Sequence, residues 1–211
     1  LDATQAVLRV GALRGEVRDA ATGELVYNYF NEFGLSAPAA VDLNLDAASP
    51  ASGVLSKTIR AALRRGEVAL KDGLTRLRGW RILVGPAFWD DLISHPEVRA
   101  TYLNQQEASQ LRGALRGEFN FAGATFVECT DRVAGETIVD ENEGLAIPVG
   151  AGALIEALGP SDYIDLANVQ GLPSYSRMEP VRMGRGWELE VSRFPLPIAV
   201  IPEALIRFTR T

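Results

Sequence analysis

A chain of 211 residues, 47% hydrophobic and 23% charged, can bury a core of its own and needs neither a disulfide framework nor a metal staple to fold. Its lone cysteine, Cys129, cannot pair within the chain, which suits a reducing compartment, and a net charge of −6 argues against a broad basic face gripping nucleic acid. No stretch approaches the roughly 20 apolar residues of a membrane span and the start lacks a signal-peptide pattern, so a soluble, cytoplasmically made protein is expected.

In chain order, Leu1 to Leu8 reads as helix, with Ala3, Ala6, Val7 and Val10 at three- and four-residue spacing. Because Leu1 is not an initiator methionine, the reading is a fragment that opens on the last turns of a longer helix. Gly11-Ala12-Leu13-Arg14-Gly15 closes that helix, glycine entering the left-handed terminal position without steric penalty. Two β-prone runs, 16–20 and 24–30, flank the turn Ala21-Thr22-Gly23 and predict a hairpin anchored by Tyr27, Tyr29 and Phe30. Residues 36–53, with Pro38 and Pro50, read as a surface connector. From Val54 a helix is predicted, with Leu55, Ile59, Ala62, Leu63 and Gly66 on one face and Lys57, Arg60, Arg64 and Arg65 on the other, ending near Gly66 or Gly73.

Trp80 to Val84 is a short strand, and Gly85-Pro86 opens a helix with Pro at its favoured early position and Phe88, Trp89, Leu92 and Ile93 as its apolar stripe. His95-Pro96 breaks and restarts it, Val98, Tyr102 and Leu111 continuing an apolar face. Gly113-Ala114-Leu115-Arg116-Gly117-Glu118-Phe119 nearly copies Gly11 to Val17 and is read as the same event, a helix end followed by a strand. Phe119 to Phe121 and Ala124 to Cys129 form a hairpin, and Asp131, Glu136, Asp140, Glu141 and Glu143 a solvated, mobile loop. Leu145 to Val149 is a strand whose Pro148 predicts an edge or terminal position. Tyr175 to Met183 and Trp187 to Phe194 alternate around Gly184-Arg185-Gly186, with Trp187, Leu189, Val191 and Arg193 facing away from Glu188, Glu190 and Ser192. Leu205 to Phe208 closes the chain as a strand, and the whole is α+β, with mixed sheets and no repeated strand-helix unit.

Catalytic chemistry has few candidates. His95 lies beside Ser94, Asp90 and Asp91 along one helix end, where the three cannot converge as a triad, and it reads as a boundary residue, exposed or capping. Asp90 and Asp91 are adjacent and so fall on different helix faces. Cys129 has no metal-ligand spacing and reads as filler, and the acidic loop lacks the oxygen-ligand pattern of a calcium site. Gly150-Ala151-Gly152-Ala153-Leu154 lacks the fingerprint of a phosphate loop and reads as a turn. Arg177, Arg182, Arg185 and Arg193, like the arginines at 60, 64 and 65, are read as solvated faces or contacts between subunits. No catalytic, cofactor or metal residue is assigned.

Five segments in order resemble the phage major capsid protein E family, the lambda-like branch of the tailed-phage shell fold. They are Leu13 to Asp19 with Thr22 to Leu25 and Tyr29 to Gly34; Val84 to Arg99, the most specific; Phe121 to Glu128; Gly144 to Gly150 through Gly159 to Tyr163; and Gly171 to Ser176 with Phe194 to Ile198 and Pro202 to Ile206. The resemblance implies the Hong Kong phage type of fold, with a peripheral domain built on a spine helix and a β hairpin, and an axial domain at the capsomer centre. On that mapping residues 1–79 hold the end of the spine helix, the hairpin and a connector, 80–160 the axial domain, and 161–211 strands returning to the peripheral domain. The family's N-terminal arm, extended loop and most of the spine helix have no counterpart, so the fragment alone is expected to be monomeric or weakly associated.

The implied function is that of a head protein forming the icosahedral shell around packaged DNA, not an enzyme and without cofactors. Its implied partners are copies of itself in hexamers and pentamers, scaffolding and decoration proteins, and DNA held non-specifically, with no membrane. The acidic balance is read as helping DNA slide along the wall. An encapsulin-like compartment or another virion component of the same fold is the alternative, and a hydrolase using His95 a third, more distant reading.

Overall fold

Helix α1 (Asp2–Arg14) is stopped by Gly15, whose positive φ of 81° no branched residue would adopt cheaply. Gly11 is part of the helix and not of its end; a Cβ there would lie 2.6 Å from the Glu16 carbonyl oxygen. The hairpin of β1 (Glu16–Arg18) and β2 (Leu25–Asn28) follows as expected, but Tyr29 and Phe30 do not extend it. They open the one-turn helix α2 (Tyr29–Glu32), because the Asn28 side chain accepts the Asn31 amide at 3.0 Å and caps a turn where a strand would have to continue. Both rings are buried, and the Tyr29 hydroxyl donates to the Pro197 carbonyl. The connector is not wholly irregular either, since it contains β3 (Val41–Asp42).

Helix α3 (Val54–Leu70) buries Leu55, Ile59, Ala62, Leu63, Gly66 and Leu70 along one stripe and leaves Lys57, Arg60, Arg64 and Arg65 in solvent. It runs through Gly66 without ending there, because at that point the Trp80 ring and Ile206 press against the helix and only a hydrogen fits. β4 (Gly79–Val84) leads into α4 (Pro86–Ser94), which starts with Pro86 in its first turn, and α5 (Pro96–Leu103) restarts after His95. Phe88, Trp89 and Leu92 are buried and Ile93 half-buried. β5 (Glu118–Phe121) and β6 (Ala124–Glu128) make the expected antiparallel pair.

The remaining strands are β7 (Arg132–Val133), β8 (Glu136–Thr137), β9 (Glu143–Val149), β10 (Leu154–Leu158), β11 (Tyr175–Pro180), β12 (Trp187–Ser192), β13 (Pro195–Ala199) and β14 (Ile206–Thr209). This computed structural model describes residues 2–19, 22–47, 51–70, 76–103, 118–133, 136–166 and 168–211. The expectations for Gly73, Leu111 and the Gly113 to Gly117 copy, and for the Tyr102 side chain, lie outside them.

One mixed six-stranded sheet, in the order β3-β14-β9-β4-β6-β5, organises the molecule. β14 runs parallel to β3 and β4 parallel to β6, the other neighbours being antiparallel. Trp80, Ile82 and Val84 alternate onto one face, where Ile59 and Leu63 of α3 and Phe88 and Leu92 of α4 cover them together with Phe126 and Phe208. The other face is covered too: Leu83, Leu145 and Ile147 pack against Val10 and Leu13 of α1 and against Ile138 and Val139. Burial on both faces explains why Ile82 to Val84 and Leu145 to Val149 read as apolar runs and not as alternation, while Arg81 of β4 stays exposed. A smaller core gathers Ala12, Val17, Tyr29, Phe30, Ala199 and Leu205.

β9 is a central strand, with β14 on one side and β4 on the other, and Pro148 takes the terminal position expected of it: β14 pairs only with residues 143–146, so the end of β9 is open on that side. Another expectation is corrected. The acidic stretch is not a solvated loop throughout, for Ile138, Val139 and Glu143 are 9%, 0% and 4% exposed.

The β10–β13 pair continues past Gly159, whose amide donates to Phe194 O at 2.8 Å, into the β11–β12 ribbon. After Tyr175 every residue of β11 is exposed, and in β12 only Ser192 is not.

Candidate functional site

The buried charged centre of the fold lies where α1 meets the sheet. Glu143 begins β9, and its carboxylate accepts Arg14 Nε at 3.0 Å and Nη2 at 2.7 Å, and Arg207 Nε of β14 at 2.9 Å. Arg14 also donates to Ile138 O at 3.3 Å, tying the last turn of α1 to the acidic stretch. The side chain of Glu143 is 6% exposed, while Arg14 and Arg207 are 33% and 47% exposed, so one desolvated carboxylate is held between two partly hydrated cations. This is a joint between α1, β9 and β14. In the sequence nothing separates Glu143 from the neighbouring Asp140 and Glu141, because all that marks it is its place as the first residue of a strand.

The residues singled out for chemistry are used elsewhere. His95 is 5% exposed, so it is not the exposed residue allowed for in the sequence, though it does sit at the α4 boundary, and its Nδ1 accepts the Glu97 amide at 3.3 Å. Burial pushes its pKa down, opposed by Glu97, which favours a neutral imidazole. Asp91 pairs with Arg210 at 3.0 Å, and Asp90 faces solvent. Cys129 is half-buried against the α1 side of the sheet, and burial raises its thiol pKa. No group of three or more His, Cys, Asp or Glu that could hold a metal occurs among the described residues. No helix among them is long and apolar enough to cross a membrane. The turn from Gly150 to Leu154 is packed, with Ala151 and Ala153 buried and glycines at φ 84° and 69°.

A groove of about 720 Å³ opens between α3, the start of β4 and the β5–β6 turn, lined by Arg60, Arg78, Arg81, Glu97 and Glu118 among others. Most of that charge is committed internally. Glu97 accepts the Leu55 and Ser56 amides at 3.2 and 3.1 Å and so satisfies the start of α3, and Arg81 pairs with Glu118. What the molecule presents instead is surface: the cationic stripe of α3 and the exposed ribbon of β11 and β12.

This fold is shared with a phage capsid protein of known structure. The crystal structure of a prophage protein from E. coli CFT073, described as its capsid protein, matches with a TM-score of 0.63 at 10% identity, over 98% of this chain and 62% of that one. The chain belongs to the phage major capsid protein E family, whose model matches residues 1–210. The capsid structure of cyanophage P-SCSP1u is similar at a TM-score of 0.47 and 13% identity, covering 99% of this chain and 60% of that one. A virus-like particle from Pyrococcus furiosus scores 0.27 at 14% identity over 69% of this chain and 49% of that one. No curated protein matches the sequence.

Proposed function

We propose that this chain is the body of a major capsid protein whose copies build the shell around packaged phage DNA. The carrying observation is the family match across residues 1–210, joined to a capsid fold shared with the prophage protein over 98% of the chain. The role is structural: α1 and the sheet are locked through Glu143, and the buried polar groups serve the fold. Copies meet in hexamers and pentamers through many moderate heterologous contacts, in the virion and during assembly in the host cytoplasm, with scaffolding and decoration proteins as further partners. Packaged DNA is held non-specifically, which an acidic net charge of −6 favours by limiting adhesion.

In the domain reading, α1, the β1–β2 hairpin, the connector with β3 and the strands after residue 160 belong to the peripheral domain, and β4 to β10 to the axial one. β13 pairs with β10 and β14 with β9, so on this reading residues 195–199 and 206–209 join strands of the axial segment. The test is electron microscopy of the natural full-length protein expressed with its phage partners. Icosahedral shells filled with DNA are the expected result; shells loaded with an enzyme cargo would replace this reading by a compartment, and soluble particles without symmetry would end it.

A further inference from the structure

Direct cross-strand partners share a face of an antiparallel pair. In the β11–β12 ribbon that rule sorts the side chains cleanly. Ser176 with Val191, Met178 with Leu189 and Pro180 with Trp187 form one face, and Tyr175 with Ser192, Arg177 with Glu190 and Glu179 with Glu188 form the other. The first face carries no charge and is open: Met178, Trp187, Leu189 and Val191 are 59%, 67%, 65% and 48% exposed. The charged face is where the body touches the ribbon, Arg177 lying 4.4 Å over the Tyr163 ring and 3.5 Å from Asp165. Among the described residues the apolar face has no such cover.

An isolated two-stranded hairpin is marginal in water, and the open face amounts to on the order of 400–500 Å², the size at which an exposed apolar patch on a single molecule is usually functional. That is about half of one partner's share of a standard stable interface. It is too little for a free-standing dimer and suits one contact among several. The same chain carries a second uncharged sheet face of similar character. In the β10–β13 pair, Ile155 and Leu196 lie on the face opposite Leu154 and Ala199 and are 49% and 39% exposed, while Ile198 on that face packs in part against the smaller core. A head-to-tail contact between identical subunits requires two different, mutually complementary surfaces on one molecule. Joining these two would desolvate no ion.

We infer that the apolar face of the β11–β12 ribbon seats on the outer face of β10–β13 of a second copy of this chain. The inference rests on the shell reading and names one of its contacts. Its test uses the natural full-length protein, with particles followed by sedimentation and electron microscopy. Trp187→Lys with Leu189→Lys, and separately Ile155→Lys, are expected to lower particle yield at least about tenfold, and the ribbon variant, whose substituted side chains are 67% and 65% exposed, should leave the melting temperature of the unassembled subunit unchanged. A second arm avoids disruptive charge: Leu189→Cys and Ile155→Cys are placed in differently tagged copies, co-expressed and oxidised. A mixed disulfide dimer from assembled particles is expected, above the background that each single variant gives through Cys129. Normal particle yield from the lysine variants would overturn the contact, and so would a cysteine at 189 that cross-links only to a scaffolding or decoration protein. If the wild-type protein forms no shells at all, the shell reading fails, a result distinct from shells that ignore the ribbon.

Discussion

Replacing Glu143 by Gln removes the negative charge from the joint between α1, β9 and β14 while keeping the side chain's shape. Hydrogen bonds to charged groups contribute about 1.5–3 kcal/mol each, and Glu143 accepts three of them from two arginines. The sum is far larger than the expected loss, because Arg14 and Arg207 are 33% and 47% exposed and rehydrate when released, and because a buried carboxylate no longer has to be desolvated. A net cost of about 2–3 kcal/mol remains. With a urea m-value of roughly 2–3 kcal/mol/M for a protein of this size, that moves the unfolding midpoint down by about 1 M. Arg14→Met should cost more than Arg207→Met, since Arg14 makes two of the three bonds and also holds Ile138 O. Replacing all three by apolar residues (Arg14→Met, Glu143→Leu, Arg207→Met) should recover most of the loss, because no buried charge is then left unpaired. Urea titration by circular dichroism reads all four variants. A Gln variant within about 0.2 M of wild type, or a triple variant as unstable as the Gln variant, would refute the view that a paired buried charge holds this joint.

Further expectations follow from single contacts. Gly66→Ala gains up to about 1 kcal/mol of helix propensity, yet should destabilise by about 1–2 kcal/mol in thermal melts, because the new methyl meets the Trp80 ring at 2.6 Å. Phe126→Ala empties a site that is 0% exposed in the main core and should cost about 3–5 kcal/mol in chemical denaturation. His95 has its folded pKa lowered by burial, so the unfolded chain binds the proton first: stability is complete above the unfolded value of 6.5 and is lost as pH falls toward the folded value. His95→Gln should flatten that acid slope, and an imidazole NMR titration with a midpoint at or above 6.5 would contradict it. Cys129, its thiol raised by burial, should react with iodoacetamide more slowly than a free cysteine at neutral pH, the rate climbing as pH rises.

The periodic elements were legible because burial imposes their period. The buried stripe of α3 is the apolar stripe read from residues 55–66, extended by Leu70, and β4, the α4 start and the β5–β6 hairpin fall where the residues place them. Errors arose where a distant contact overrode a local signal. Gly66 looks like a helix end until Trp80 explains it. Tyr29 and Phe30 have strand propensity but follow an Asn that caps a turn. Of the surfaces, the ribbon's alternation was visible, but alternation does not say whether either face finds cover within its own chain. The Glu143 joint joins residues 129 and 64 positions apart, and no local pattern in one sequence reports such a partnership.

The place of β14 in the sheet has a kinetic side. Its neighbours are β3, which pairs Phe208 with Val41, and β9, which pairs Arg207 with Leu145, so the sheet closes only after the chain has been synthesised past residue 206. The β1–β2, β5–β6 and β11–β12 hairpins are local and can form within microseconds, whereas this insertion must wait for a long loop to close and belongs to the slow phase of folding. Until then the edge of β9 is unpaired in every nascent copy. An open edge among many identical chains is a template for wrong pairing. The late arrival of β14 therefore sets the interval during which a subunit is most exposed to aggregation, and refolding yield should fall with concentration most steeply in variants that slow its insertion.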